Sequence, residues 1–487
     1  MSVKKYYATK DNTITNAYKS YSSTRRVTSL NYGLTDSLEI FSIYATVTAS
    51  VDDNEKARAI LQFNTAEISS SRLAGDVPDS GSVSFFLRLK NYPHTSTSPT
   101  SFTLVIAPIS QSWDEGRGKS FDEETSNEVG SNWITASSFP TVAWTAQGGD
   151  FRTSPLFEQS FTTADQDLVI DVTPYVESVI TDGTADYGLG VYLTSSQETA
   201  SQSFYKKAFY SRQFEDDAYR PHLEARWNNS LQDDTDNFFL SSSRASAADN
   251  LNTIYIYNQI RGNLKNIPGV GTGSILVSVY SGSATTPAGS KLLLPVGGGV
   301  AATGDVNITG SHVSTGIYSA SFAFNSSSLE YIHPVWHSGS VEYHTGSAIE
   351  PTARGSVGAR RVKRYFISIT NLKEEYSSTQ TNRLRLYVRD PSASPTIYTT
   401  AQSTLEATII NKAYYKVFRH RDNFEIISFG TGSGNNEYTR LSHDAKGNYF
   451  DLDFSVFPKD EDYVIKFVLF EDGQYREQKQ EFKFRVV

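Results

Sequence analysis

Cysteine is absent from this chain of 487 residues, and methionine occurs once. No disulfide and no thiolate metal site is available, and cysteine-based catalysis is excluded. Stability must come from apolar burial, sheet hydrogen bonds and subunit assembly, and it is indifferent to the redox compartment. No run approaches the roughly 18 consecutive apolar residues of a membrane-crossing helix. The N-terminal MSVKKYYATKDNTI has no apolar core of signal-peptide length. The expectation is a protein made in the cytoplasm that reaches any outside place of work by a route other than a signal peptide. Charge is sparse as well: 20 % of residues are charged, and the net charge of −9 supplies no basic face for nucleic acid.

Aromatic residues are abundant. There are 29 Tyr and 28 Phe among many Ser and Thr, a composition that favours strands over helices. The expected fold class is all-β: a jelly-roll or β-sandwich domain over 1–228, followed by immunoglobulin-like sandwiches over 229–355 and 356–487. In the first part, strand-like runs recur between turn signals: LEIFSIYATV from Leu38, RAILQFN, SVSFFLRLKN, SFTLVIAPI, DLVIDVT, YGLGVYL and PHLEARW. TPYVESVITDG is the best helix candidate. Pro174 suits a first helical turn, Gly183 a stop, and Val176, Val179 and Ile180 fall on one face. NSLQDDTDNFFLSSSRASAADN changes texture and reads as a linker or domain start. Beyond it, NTIYIYNQ and SILVSVYSG alternate, and GIYSASFAFN places Tyr318, Ala320, Phe322 and Phe324 on the face expected to be buried. LPVGGGVAATG is glycine-rich but lacks the strand–loop–helix context and the lysine of a phosphate loop, so it reads as a turn. EPTARGSVGARRVK, with Arg354, Arg360, Arg361 and Lys363, reads as a solvated linker or a partner-docking segment. The last part returns to strands, with EDGQ as a tight turn between two of them.

Eight short motifs in order give the first domain a resemblance. DNTI (Asp11–Ile14), NYG (Asn31–Gly33), RAILQFN, SGSVSFFLRL, SWDEG (Ser112–Gly116), IDVTPYVESVITDG, YGLGVYL and FYSRQFEDDAYRPHLEARW together resemble the DNRLRE family of carbohydrate-binding-like β-sandwich domains. The chain departs from that pattern in its middle: 113–160 is long, with Trp133, Trp144 and GGDF spread across it, where the family has a compact loop. The whole chain, through EYTRLSHDAKGNYFDLDFSVFPKDEDYVIKF and EQKQEFKFRV, also resembles virion structural proteins of tailed, T4-like phages of marine bacteria. That resemblance implies a structural role at the neck or collar, the tail and baseplate, or the fibres. It also implies other virion proteins as partners, a cyclic homo-oligomer and release by lysis.

Candidate chemistry is limited. SWDEGRGKSFDEET carries Asp114, Glu115, Asp122, Glu123 and Glu124. These fit a solvated loop, calcium ligands, an interface or, least well, a glycosidase pair, since proximity in sequence does not make two carboxylates face each other. Trp113, Trp133 and Trp144, beside Asp114 and Glu115, read either as core and loop anchors or as a surface that stacks a host glycan or meets a partner. The histidine cluster His333, His337 and His344 contains a four-residue spacing that would pair two imidazoles on a helix. Pro334 and the strand-like pattern argue against that helix, and no HExxH is present. No GxSxG elbow supports a serine nucleophile. The reading is a non-enzymatic protein without metal or cofactor, with no nucleic-acid partner and no membrane span. The long segment 113–160 is expected to order on contact with a partner.

Overall fold

The computed structural model describes residues 2–19, 22–48, 51–94, 101–119, 129–201, 204–294, 302–303, 306–353, 365–390, 408–430, 437–471 and 473–487. Asp122, Glu123 and Glu124, most of the glycine-rich stretch and the basic segment 354–363 lie outside the described residues. Strand accounts for 47 % and helix for 7 %, so the chain is all-β.

The first sandwich is organised by its first strand. Val3–Thr15 pairs through Val3–Tyr7 with His222–Arg226, then shifts register between Ala8 and Lys10 and pairs onward with Val51–Phe63. A bulge at that point bends the strand from one layer into the other. One layer adds Ser84–Leu89 and Leu168–Asp171 outside His222–Arg226. The other adds Leu189–Leu193, Phe102–Pro108 and Phe157–Phe161 outside Val51–Phe63, with Ser37–Thr48 and Phe204–Tyr210 along the same strand. The two outermost strands meet at Gln159, whose side chain donates to Asp167 O at 2.9 Å and accepts from Val169 N at 2.9 Å. Alternating side chains of both layers fill one core that includes Leu61, Phe85, Leu104, Leu189 and Leu223.

The helix expected from TPYVESVITDG forms over Thr173–Ile180 with Pro174 in its first turn. A second helix, Thr65–Leu73, packs beside it through the Arg72 guanidinium on the Glu177 carboxylate at 2.6 and 3.0 Å. No apolar stripe announced it: its buried positions are Thr65, Ile68 and Ser71.

The middle sandwich repeats the layer-crossing device. Asn307–Ser314 pairs with Ile275–Gly282 through Ile308–Gly310 and with Ile317–Phe322 through Ser311–Ser314. Tyr318, Ala320, Phe322 and Phe324 are buried, as their alternation required. Phe238 already belongs to this core, so the polar stretch before it is a domain start whose last residues fold in. The third sandwich closes a four-stranded sheet on a six-stranded one, each antiparallel but for the pair Glu375–Tyr376 with Arg485–Val486. Tyr415 and Phe450 stack across the two sheets at 4.5 Å. Glu471 and Gln474 close the hairpin at EDGQ, where Gly473 takes φ 76°. Among the described residues, no helix is long and apolar enough to cross a membrane.

Candidate functional site

The residues nominated by sequence meet at one corner of the first sandwich, where they form a packed knot. Trp113, Trp133 and Trp144 are 2, 5 and 5 % exposed and share a small core with Ile14, Ile60, Ile109 and Ala136. Trp113 Nε1 donates to Tyr187 O and Trp144 Nε1 to Asn132 O, each at 2.8 Å. The Arg58 guanidinium lies 5.3 Å from the Trp133 ring and 5.2 Å from Tyr192, and bonds Glu198 and Gly148 O. A glycan-stacking surface needs open ring faces, and these indoles have none; the sugar reading of Trp113, Trp133 and Trp144 is corrected to core and anchor residues.

The acidic pair is occupied likewise. Asp114 accepts from Ser137 Oγ at 2.6 Å, and Glu115 takes the Arg212 guanidinium at 2.5 and 2.6 Å together with Asp11 N at 2.9 Å. Asp11 itself is 1 % exposed; burial pushes its carboxyl up to about 7, against a hydrogen bond from Arg212 N. Two of the quoted motifs interlock here. Asn31 Oδ1 accepts from Gly118 N at 2.9 Å, and a Cβ on Gly33 would sit 2.0 Å from Gly116 O. The described parts of 113–160 are therefore integrated into the sandwich by its own residues, which corrects the expectation that this segment waits for a partner.

The histidines do not converge. His333 and His337 lie on the strand Ile332–Ser338, and on a strand positions four apart do share a face. They are separated along it by roughly 13 Å, from about 3.3 Å per residue, too far to share a metal. His333 Nε2 meets Ser283 O at 2.9 Å and His337 Nε2 meets Ser278 Oγ at 2.7 Å, while His344 is exposed on the neighbouring strand. Among the described residues, no group of three or more potential ligands gathers to hold a metal ion.

Sequence reasoning missed a cleft between the first and third sandwiches. It encloses about 690 Å³ and is lined by Tyr7, Asp216 and Glu215 on one side and by Arg421, Phe457 and Glu461 on the other. Below it Arg419, 1 % exposed, reaches across to Asp216 at 2.8 Å, bonds Asp422 at 2.7 Å and lies 3.8 Å from Glu461. Arg421 bridges Asp216 and Glu461 at 2.6 and 2.8 Å. Burial alone would raise the Asp216 carboxyl; hydrogen bonds from Arg419 and Ala218 N and the charges of Arg419 and Arg421 together outweigh this and hold it below the usual range.

A second charged layer lies deeper in the same junction. Glu224, buried on the outer face of His222–Arg226, is flanked by Arg88 at 3.2 Å and Arg226 at 2.6 Å, and these cations overcome the effect of burial to hold its carboxyl well below normal. Arg226 stacks on Tyr438 at 4.9 Å and Lys5 Nζ donates to Ile426 O at 3.1 Å, both in the third sandwich. Val3 and Ala218 of the first sandwich belong to the apolar core of the third. No short motif encodes this contact, because the Arg419 and Asp216 partners stand 203 residues apart.

No family model matches the chain, and no curated protein matches it. Among solved structures, the chain is similar to a marsupial T cell receptor at 8 % identity, covering 48 % of this chain and 68 % of that one, with a TM-score of 0.15. It is also similar to E. coli alpha-2-macroglobulin in its native conformation at 8 % identity, covering 99 % of this chain and 26 % of that one, with a TM-score of 0.15. Likeness at that level identifies neither a family nor an activity, and the all-β description stands on the sheets themselves.

Proposed function

We propose that this chain is a non-enzymatic structural component of a tailed-phage particle, acting through protein–protein contacts at the neck, the tail and baseplate, or the fibres. The observation that carries the reading is the junction of the first and third sandwiches. Domains joined in one chain move relative to each other unless their interface is extensive and apolar. Here a shared apolar core and a buried arginine bind two domains that are not neighbours in sequence. The chain is thereby folded back into a stiff unit, suited to holding a fixed spacing within an assembly. The motif resemblance of the first domain and of the C-terminal stretch supports the same reading, and so does a composition free of cysteine. Exposed apolar side chains give such a unit surfaces to dock with. Phe139 at the tip of the hairpin Thr135–Ala143 is 83 % exposed, and Val142 on the same hairpin 43 %. A closed ring of copies is the arrangement expected of it.

Immunogold labelling of purified particles tests the proposal. Gold at one discrete position on the particle is expected and locates the component. Unlabelled particles, with the protein free in the lysate, would overturn it. The alternative, a glycan-binding adhesion module, has lost the tryptophan surface that motivated it; what supports sugar binding now lies in the middle sandwich.

A further inference from the structure

Tyr255 and Tyr257 stand two positions apart on the strand Asn252–Tyr257. Both side chains therefore leave the face opposite to Ile254 and Ile256, which enter the core. Their rings are nearly parallel, with centroids 6.3 Å apart and 26° between planes. The Gln232 backbone fixes the Tyr255 hydroxyl by a hydrogen bond, and Tyr257 is 39 % exposed. This strand is one edge of the middle sheet, and Val341–Thr345 is the other. The two edges come together around a cavity of about 280 Å³, to which the second edge contributes Tyr343 and His344 and the adjoining segments contribute Asn258 and Ile267.

The lining contains no carboxylate and no lysine or arginine. Its polar groups are free to bond a guest. Asn258 spends its amide nitrogen on Lys265 O at 2.6 Å, but its Oδ1, the Tyr257 and Tyr343 hydroxyls and the His344 ring have no hydrogen-bond partner among the described residues. A nearly parallel aromatic pair with uncharged donors and acceptors in the same lining matches one ligand chemistry well. A pyranose has an apolar C–H face that stacks on an aromatic ring and hydroxyls that radiate around it, and neighbouring sugars in an oligosaccharide are spaced much as these two rings are.

We propose that the cavity between the edges of the middle sheet is a subsite for a neutral oligosaccharide, with consecutive sugars on Tyr257 and Tyr255 and their hydroxyls bonded by Asn258, Tyr343 and His344. A proline-rich peptide also packs on aromatic grooves, but it needs an extended channel, whereas this cavity holds only about 280 Å³. The inference does not rest on the virion reading: particle labelling and sugar binding answer separately.

The test uses the full chain on an array of neutral hexose and N-acetylhexosamine oligosaccharides, followed by titration with the best-bound member. Wild-type protein is expected to bind. Tyr257→Ala should weaken binding by about tenfold, the equivalent of one aromatic contact, while Tyr257→Phe keeps most of it. His344→Ala, on the opposite edge, should also weaken binding, and Phe139→Ser in the first sandwich should leave it unchanged. Tyr257 and His344 are exposed, so the melting temperatures of their variants should equal that of the wild type. The proposal is overturned if no oligosaccharide binds, if affinity survives both Tyr257→Ala and His344→Ala, or if a proline-rich peptide binds the chain and the sugars do not.

Discussion

Asp11 shows how one buried group can be read from its surroundings. It lies within the motif DNTI, and burial raises its carboxyl from 3.8 to about 7. A carboxyl whose folded pKa is raised favours folding while protonated. Its contribution is complete below about pH 4 and is lost as pH rises to about 7. His222 acts in the opposite sense over much the same range. Burial lowers its imidazole from 6.5 to about 4, so its contribution is present above pH 6.5 and is lost as pH falls towards 4. The two slopes oppose each other between pH 4 and 6.5. Asp11→Asn removes one of them, so its melting temperature relative to the wild type should climb with pH over that interval. Parallel curves for the two proteins, measured by calorimetry, would refute the assignment.

Among the elements, the corner that joins Asn31–Gly33 to Ser112–Gly118 makes the sharpest claim. A Cβ on Gly33 meets the backbone carbonyl of Gly116 at 2.0 Å, and backbone cannot swing aside as a flexible side chain would. Gly33→Ala should cost about 1–3 kcal/mol, the usual range for overpacking, while Ser112→Ala at an exposed position nearby should cost close to nothing; urea denaturation of both variants measures the difference. Strands were readable because alternation is a local property: in the middle sandwich Tyr318, Ala320, Phe322 and Phe324 are buried where the pattern placed them. The helix Thr173–Ile180 was readable through Pro174 and Gly183. Thr65–Leu73 was not, because two of its three buried residues are Thr65 and Ser71, which carry no apolar signal. The tryptophans were legible as important but not as interior, since an aromatic beside acids has the same spelling in a core knot and on a binding face.

For the whole molecule, the decisive feature is the lock between the first and third sandwiches. Arg419 is itself buried, but Asp216 is half-buried and keeps Arg421, and Asp422 is exposed, so Arg419→Ala should cost about 1.5–3 kcal/mol, the worth of its charge-assisted hydrogen bonds. Arg421 shares Asp216 but is 56 % exposed, so Arg421→Ala should cost no more than about 1 kcal/mol. The wild-type first and third sandwiches should unfold in one transition. Arg419→Ala should separate them into two, and a single unchanged calorimetric peak in that variant would show that the apolar contact of Val3 and Ala218 suffices without the ion pair.

The sequence by itself determined the all-β class, the succession of strands and which side of each strand is buried, because these follow from the two-residue period of a strand and from turn chemistry confined to a few neighbours. It also determined that stability would have to come without disulfides. Only the tertiary structure decided that Trp113, Trp133 and Trp144 face inward, that Glu115 is paired with Arg212, that Arg419 finds Asp216 across the junction, and that Tyr257 and Tyr343, on opposite edges of one sheet, line one cavity. Each of these joins residues that are distant along the chain, and the layer crossing and sheet closure that bring them together are properties of the whole packed arrangement rather than of any local pattern.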